Sequence, residues 1–204
     1  MNINTVLFDF GGVLAEEGFR NGVMHIATVN SLDAAEFFTT VQGLIFSSGY
    51  LTGHGSEATL WEQLRAQTGI KGSDEELKNI ILERFILRDS MMTLVKKLKE
   101  ASVRVAILSD QTNWLDELDS KLHFFKEFER VFNSFYLGKS KNDPSIFSDV
   151  IAVMGIRPDE TLFIDDTIGH VERARSRGLH AIWYTGRQQF LDEMKRFFPG
   201  MVFS

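Results

Sequence analysis

Cysteine is absent from this chain. Disulfides, thiolate zinc sites and cysteine nucleophiles are thereby excluded, which suits a reducing compartment. Proline is scarce, three residues in 204, and argues against disordered linkers. No uninterrupted apolar run approaches the roughly 20 residues of a membrane span. The opening Met1-Asn2-Ile3-Asn4-Thr5 lacks the charged region of a signal peptide. Positive charge is in the minority: 22 Lys and Arg face 28 Asp and Glu, a net charge of -6. A general nucleic-acid surface is thus disfavoured, and an anionic ligand would need a metal or locally placed Lys and Arg. The expectation is a cytoplasmic protein that engages neither nucleic acid nor membrane. Hydrophobic residues make up 44% of the chain, enough for one ordinary domain or a core with a small insert.

Five short apolar runs read as buried parallel strands: Thr5–Phe8, Val103–Leu108, Val131–Phe135, Thr161–Ile164 and Ala181–Tyr184. Runs that are continuous rather than alternating are expected where helices cover both faces of a sheet. Helical patterns separate the later runs. Ser90–Ala101 carries Met91, Leu94, Val95 and Leu98 at helical spacing, and Ile168–Arg177 and Arg187–Phe198 end at Gly178 and Pro199-Gly200. Asp143-Pro144 predicts a helix start, with Asp at the N-cap and Pro at the first helical position. The alternation predicts an α/β fold, a doubly wound, parallel five-stranded sheet.

Between Gly18 and Arg88 no strand pattern appears. Ala34–Phe46 places Phe37, Val41 and Leu44 at helical spacing, Leu60, Trp61 and Leu64 follow Gly55-Ser56, and Ser73-Asp74-Glu75-Glu76 is a capping box. This stretch is too long for a βα loop. It predicts an all-helical cap at 18–88 inserted after the first strand, with the α/β core made of 1–17 and 89–204.

Asp9 ends the first run and precedes Phe10-Gly11-Gly12-Val13; Ser109 follows Ile107-Leu108; Asp165-Asp166 follows Leu162-Phe163-Ile164; Lys141 stands before Asn142-Asp143-Pro144. The ligand crevice of an open parallel sheet lies at the carboxyl ends of its strands, so these groups converge there. Taken singly, each has a plain structural explanation. Asp9 can cap a turn, Ser109 can start the helix that Asp110-Gln111-Thr112 leads into, Lys141 can be a solvated loop residue, and Asp165-Asp166 can be a solvated acidic loop. Together they point to chemistry. Adjacent acids are costly without a cation, because like charges disfavour joint ionisation. Mg²⁺ takes oxygen ligands, usually one or two carboxylates with water and substrate phosphate. The set suits Mg²⁺-assisted phosphoryl transfer through an aspartyl-phosphate. His54 and His170, with ordinary values near neutrality, are candidate acid–base groups. Tyr50 and Trp61 read as cap core or pocket wall.

These motifs resemble the haloacid dehalogenase-like hydrolase superfamily, and within it the phosphatases with a small helical cap. The first motif of that family, an apolar strand then Asp-x-Asp-Gly-x-apolar, matches Val6–Leu14 except at Gly11. Ile107-Leu108-Ser109 matches the second, Lys141-Asn142-Asp143-Pro144-Ser145-Ile146-Phe147 the third, and Phe163-Ile164-Asp165-Asp166 the fourth, with His170 where asparagine is usual. The resemblance implies that Asp9 is the nucleophile and a Mg²⁺ ligand, as is the Gly11 carbonyl oxygen. It implies that Asp166 binds the ion directly with Asp165 behind it, and that Ser109 and Lys141 hold the phosphoryl group. Asp110 and His54 are candidate substrate contacts. Gly12–Arg20 resembles the family's mobile flap. The implied partner is a small phosphorylated metabolite, met by a monomer or homodimer.

The family's phosphatases have a second Asp where this chain has Gly11; that Asp protonates the leaving oxygen and later activates water. Such help is typically worth about 10²–10⁴-fold. His54, Glu16 and Glu17 are the candidates to replace it, and a sugar phosphate with an anomeric leaving group would depend on it less. Two other readings follow from the same residues. A weakly active phosphate-binding or regulatory protein is suggested by Gly11 itself. A haloacid dehalogenase is disfavoured, because such enzymes usually place Tyr at the position of Gly11 and Thr at that of Val13. A phospho-accepting receiver domain is disfavoured by the order of the acids, with the pair last and a helical insert between.

Overall fold

The computed structural model describes residues 2–202. In chain order the elements are β1 (Thr5–Phe8), α1 (Gly18–Val29), α2 (Ala34–Ser47), α3 (Glu57–Thr68), α4 (Asp74–Leu82), α5 (Asp89–Glu100), β2 (Arg104–Ser109), α6 (Trp114–Leu122), β3 (Arg130–Asn133), α7 (Ser134–Leu137), α8 (Ser145–Met154), β4 (Thr161–Asp165), α9 (Ile168–Ser176), β5 (His180–Trp183) and α10 (Arg187–Phe197). The strands form one parallel sheet in the order β3-β2-β1-β4-β5.

Side chains alternate between two cores, as the period of a strand requires. Val6 and Phe8 join Val105, Ile107, Leu162 and Ile164 on one face. Leu7 joins Ala106, Leu108 and Phe163 on the other, against Ile146, Phe147 and Val150 of α8. Both faces are therefore dry, which is why the strands read as unbroken apolar runs.

Helices α1–α4 lie between β1 and β2 in the chain. The two connecting segments run side by side: Glu16 N–H donates to Ile86 O (2.8 Å) and Arg88 N–H to Leu14 O (2.9 Å), around a bridge between Ala15 and Leu87. The insert also grips the core through aromatic rings. Trp61 of α3 stacks on Trp114 of α6 with centroids 6.0 Å apart. The Glu57 carboxylate accepts from both indoles, at 3.1 Å from Trp61 and 3.0 Å from Trp114. Tyr50 OH donates to Asn113 Oδ1 at 2.6 Å. Tyr50 and Trp61 are thus buried packing between insert and core.

Several sequence expectations shift. Helix α1 buries Val23, Ile26 and Ala27 on one face, which it shares with Gly18 and Gly22. They are there for contact: a Cβ on Gly22 would lie 2.6 Å from Ile81 Cα, so α1 meets α4 backbone to backbone. Gly18–Arg20, within the flap-like segment, is already helical. Strand β3 stops at Asn133 rather than Phe135, because the Asn133 side chain accepts from Phe135 N–H (3.1 Å) and turns the chain into α7. Helix α8 starts at Ser145, one residue late: Asp143 accepts from Ser145 N–H at 2.9 Å, and Pro144 precedes the first turn rather than entering it. The capping box of Ser73 and Glu76 is formed as expected.

Candidate active site

From β1 the chain winds to β2 and β3 on one side of the sheet, then returns to β4 and β5 on the other. The crevice of such a sheet opens where the winding reverses, beyond the carboxyl ends of its central strands. Asp9 follows β1 directly, Ser109 is the last residue of β2, and Asp165 the last of β4. Asp9 N–H donates to Ile164 O (2.9 Å), extending the ladder by one residue and fixing the aspartate over the crevice.

Lys141 lies between these carboxylates. Its Nζ is 2.8 Å from Asp9 Oδ2 and 2.5 Å from Asp165 Oδ2, and the lysine is wholly buried. Burial alone would drive the ammonium to neutrality, but Asp165, Asp9 and Asp110 hold it charged and raise its pKa. Asp165 is likewise buried, yet Lys141 and His170 hold it below the usual carboxylate range. Asp9 goes the other way. Burial, with the negative charges of Asp165 and Asp166, pushes it well up against the pull of Lys141. Asp166 is also raised, by burial and by Asp165. One lysine does not neutralise three carboxylates.

Asp9, Asp165 and Asp166 each offer an oxygen, and these atoms lie within 4.8 Å of one another. An all-oxygen donor set with unbalanced negative charge fits a hard divalent cation. The three acids are not equivalent. Asp165 is occupied: Oδ1 accepts from Thr167 N–H (2.7 Å), Oδ2 from Lys141, and His170 Nδ1 lies 3.2 Å from both oxygens. Among the described residues, the one side chain that donates to the Asp166 carboxylate is Thr167, through a long contact from Oγ1 (3.4 Å), so the carboxylate is available. Trp183 Nε1 donates to the Asp166 carbonyl oxygen at 2.9 Å and fixes the backbone behind it. Gly12 makes the close approach possible. Its φ is +74°, and a Cβ there would fall 2.0 Å from Asp166 Oδ2.

The loop after β2 is held by side chains from β3 and α7. Gln111 N–H donates to Ser134 Oγ (3.0 Å), and Asn133 Nδ2 donates to the Thr112 carbonyl oxygen (2.9 Å). Asp110 Oδ1 accepts from Lys141 N–H at 2.8 Å, tying that loop to the lysine's own backbone. His170 bridges onward, with Nε2 3.9 Å from Asp110 Oδ2. Sequence reasoning missed Asn133, Ser134 and Thr167 as props, since nothing in their local pattern reports cross-strand distance.

Asp9, Ser109, Asp110, Lys141, Asp166 and His170 line a cavity of about 430 Å³ together with Gly11, Glu17, Phe19, Arg20, Phe38 and Gln42. Arg20 was not anticipated. Its guanidinium lies over the Phe38 ring, 5.3 Å from the centroid, placing a cation in the insert wall. His54, expected as a substrate contact, is exposed, pairs through Nδ1 with Thr52 Oγ1 (3.1 Å) and is not part of this lining. Glu16 is also turned away. Arg88 takes both its carboxylate oxygens at 3.0 Å and lowers its pKa.

The comparison with known families assigns this open α/β sheet, with its strand-end acids and buried lysine at the switch point, to a class of hydrolases. The family model of haloacid dehalogenase-like hydrolases matches residues 3–176, and the chain belongs to that family. A chloroplastic flavin mononucleotide hydrolase of Arabidopsis thaliana is 25% identical over 126 residues, covering 60% of this chain. The match spans about half of that relative, 51% of its length. A predicted HAD-like family hydrolase from Porphyromonas gingivalis superposes with a TM-score of 0.80 at 22% identity, covering 98% of this chain and 100% of its own. A HAD family enzyme from Bacteroides thetaiotaomicron, solved with magnesium and inorganic phosphate, gives 0.72 at 23% identity over 91% of this chain and 95% of its own. At these identities the structural likeness establishes the fold.

Proposed function

We propose that the chain is a Mg²⁺-dependent phosphomonoesterase of small phosphorylated metabolites. The observation that carries this reading is Lys141, buried between Asp9 and Asp165 beside the cavity. A charged lysine beside a strand-end aspartate and an available second carboxylate is the arrangement a phosphate dianion requires. Asp9 would attack phosphorus in line, forming an aspartyl-phosphate as the ester oxygen departs. Lys141 and Ser109 would hold the phosphoryl oxygens. Asp9, Asp166 and the Gly11 carbonyl oxygen would hold the ion, with Asp165 behind them fixing Lys141. What Mg²⁺ supplies when bound is neutralisation of the repulsion between carboxylate and phosphate. Support also comes from the flavin mononucleotide hydrolase relative and from the neighbour solved with magnesium and phosphate.

Helices α1–α4 would act as the cap that closes over substrate. Its wall combines Phe19, Phe38 and Phe46 with Arg20 and Gln42, which suits a leaving group that has an apolar or ring portion and a second polar group. Sugar phosphates and mononucleotides are the classes to try first. The test is phosphate release from a panel of both, and from p-nitrophenyl phosphate, with Mg²⁺ and with EDTA. Metal-dependent turnover that Asp9→Asn abolishes is expected. Turnover that is unchanged by EDTA or by Asp9→Asn overturns the reading.

A further inference from the structure

Gly11 leaves the site without a side chain at the second position after Asp9. Gly11 does not have a positive φ, so the backbone would accept another residue there. The position is instead crowded from the side: a Cβ on Gly11 would lie 3.3 Å from Glu17 Oε2. The carboxylate of Glu17 therefore stands at the mouth of the space that a side chain on residue 11 would enter.

Glu17 is held in that place. It is the N-cap of α1, with Oε1 accepting from Arg20 N–H at 3.0 Å. That bond engages one oxygen and turns the other toward Gly11. No described residue donates a side-chain or backbone hydrogen bond to Oε2, and Glu17 lines the same cavity as Asp9, Lys141 and Asp166. The other acids in reach are engaged. Glu16 is taken by Arg88, His54 lies outside the cavity, and the ring nitrogens of His170 both face carboxylates, Asp165 at 3.2 Å and Asp110 at 3.9 Å.

We propose that Glu17 is the catalytic acid and base of this site, delivered from the first turn of the insert in place of an acid on residue 11. The assignment rests on the phosphomonoesterase reading. In the first step the Asp9 carboxylate forms a bond to phosphorus, the bond from phosphorus to the ester oxygen breaks, and the Glu17 proton passes to that oxygen to release the alcohol. In the second step water attacks the aspartyl-phosphate, its proton returns to Glu17, and the bond from phosphorus to Asp9 breaks to release inorganic phosphate. The acid is restored and no co-reactant other than water is consumed. Because Glu17 opens α1, closure of the insert and delivery of the proton are one event.

Glu17→Gln tests this, since the amide oxygen still caps Arg20 N–H and preserves the fold. Its steady-state turnover of an alkyl phosphate such as glycerol phosphate is expected to fall about 10²–10⁴-fold. With p-nitrophenyl phosphate, whose leaving group needs no proton, the first turnover is expected within about 10-fold of the parent, followed by slow turnover. The rise in melting temperature with Mg²⁺ is expected to persist. Glu17→Ala with Gly11→Asp, which offers a carboxylate to the same space, is expected to recover at least 10-fold over Glu17→Ala alone. Loss of the Mg²⁺ response in Glu17→Gln would make Glu17 a metal ligand and overturn the proposal. An equal first-turnover loss for both substrates, or alkyl phosphate turnover within twofold of the parent, would overturn it as well. Failure of the parent itself to hydrolyse any phosphate ester would overturn the phosphatase reading and this assignment with it.

Discussion

Lys141 Nζ stands 2.5 Å from Asp165 Oδ2, and solvent reaches neither side chain. The pair ties α/β framework and site together, because the same ammonium meets Asp9. Removing one partner of a buried pair costs about 3–5 kcal/mol, since the other charge is left uncompensated. Lys141→Met is expected to lose stability of that order, visible as a lower urea midpoint at unchanged slope. Lys141→Met with Asp165→Asn is expected to recover part of the loss, and a double-mutant cycle measures the coupling.

The same pair sets a pH dependence. The folded Asp165 pKa is depressed, so its contribution is present above the unfolded value of about 3.9 and disappears as pH falls through the folded one. The folded Lys141 pKa is raised, so its contribution is full below about 10.4 and is lost as pH climbs beyond it. Asp9, raised by burial, acts in the opposite sense on the acid side and blurs the total. The difference between parent and Asp165→Asn reports Asp165 together with its coupling to Asp9, Asp166 and Lys141. The Asp165 part of that difference, measured by urea unfolding, is expected to shrink as pH falls below about 4.

Asp166 has its carboxylate available to a cation, while Asp165 is hydrogen-bonded on both oxygens. Saturating Mg²⁺ is expected to stabilise the parent by about 2.7 kcal/mol at a hundred times its Kd. Asp166→Asn is expected to abolish most of the shift in melting temperature. Gly12→Ala is expected to do the same at a further cost to stability, because the new methyl would occupy the Asp166 carboxylate position at a φ of +74°. A full Mg²⁺ shift in both variants would remove Asp166 from the ion site.

Glu57 is a single acceptor for two indoles, one from the insert and one from the core. Glu57→Ala strands both N–H groups, Trp114 being wholly buried, and is expected to cost about 1–3 kcal/mol. Urea unfolding followed by tryptophan fluorescence checks the size of the effect. Glu57→Gln keeps an acceptor and is expected to recover most of it.

The sheet and the floor of the site were legible because both follow from local pattern. Strands dry on both faces must be unbroken apolar runs, and groups that end such strands must meet at one edge. Asp9, Ser109 and Asp165 were found in this way, and the structure brings Lys141 to them. Helix α1 was not read as an element: two of the five positions on its buried face are glycines, Gly22 in close contact with α4 and Gly18 with Phe85, and their lack of side chains thins the stripe that Val23, Ile26 and Ala27 make. Arg20 and His54 mark the same limit. Which residue of an insert faces a cavity depends on how helices are tilted over the sheet, and helical periodicity does not carry that. Glu17 was one of three candidates in the sequence to replace the acid missing at Gly11; the Arg20 cap, the bare Gly11 beside it and the Arg88 pairing of Glu16 separate it from Glu16.

Strand β1 sits at the centre of the sheet, yet its two partners come late. Thr5 aligns with Arg104 on one side and with Thr161 on the other. A growing chain therefore finishes the whole insert before β1 gains its first neighbour, and most of the protein before it gains the second. Contacts so distant in sequence slow folding through the entropy of closing long loops. The helices after β1 are built from nearby residues and can form early. Asp9 thus gains its second strand neighbour only when β4 docks, and a chain interrupted before Asp165 lacks two of the three clustered acids.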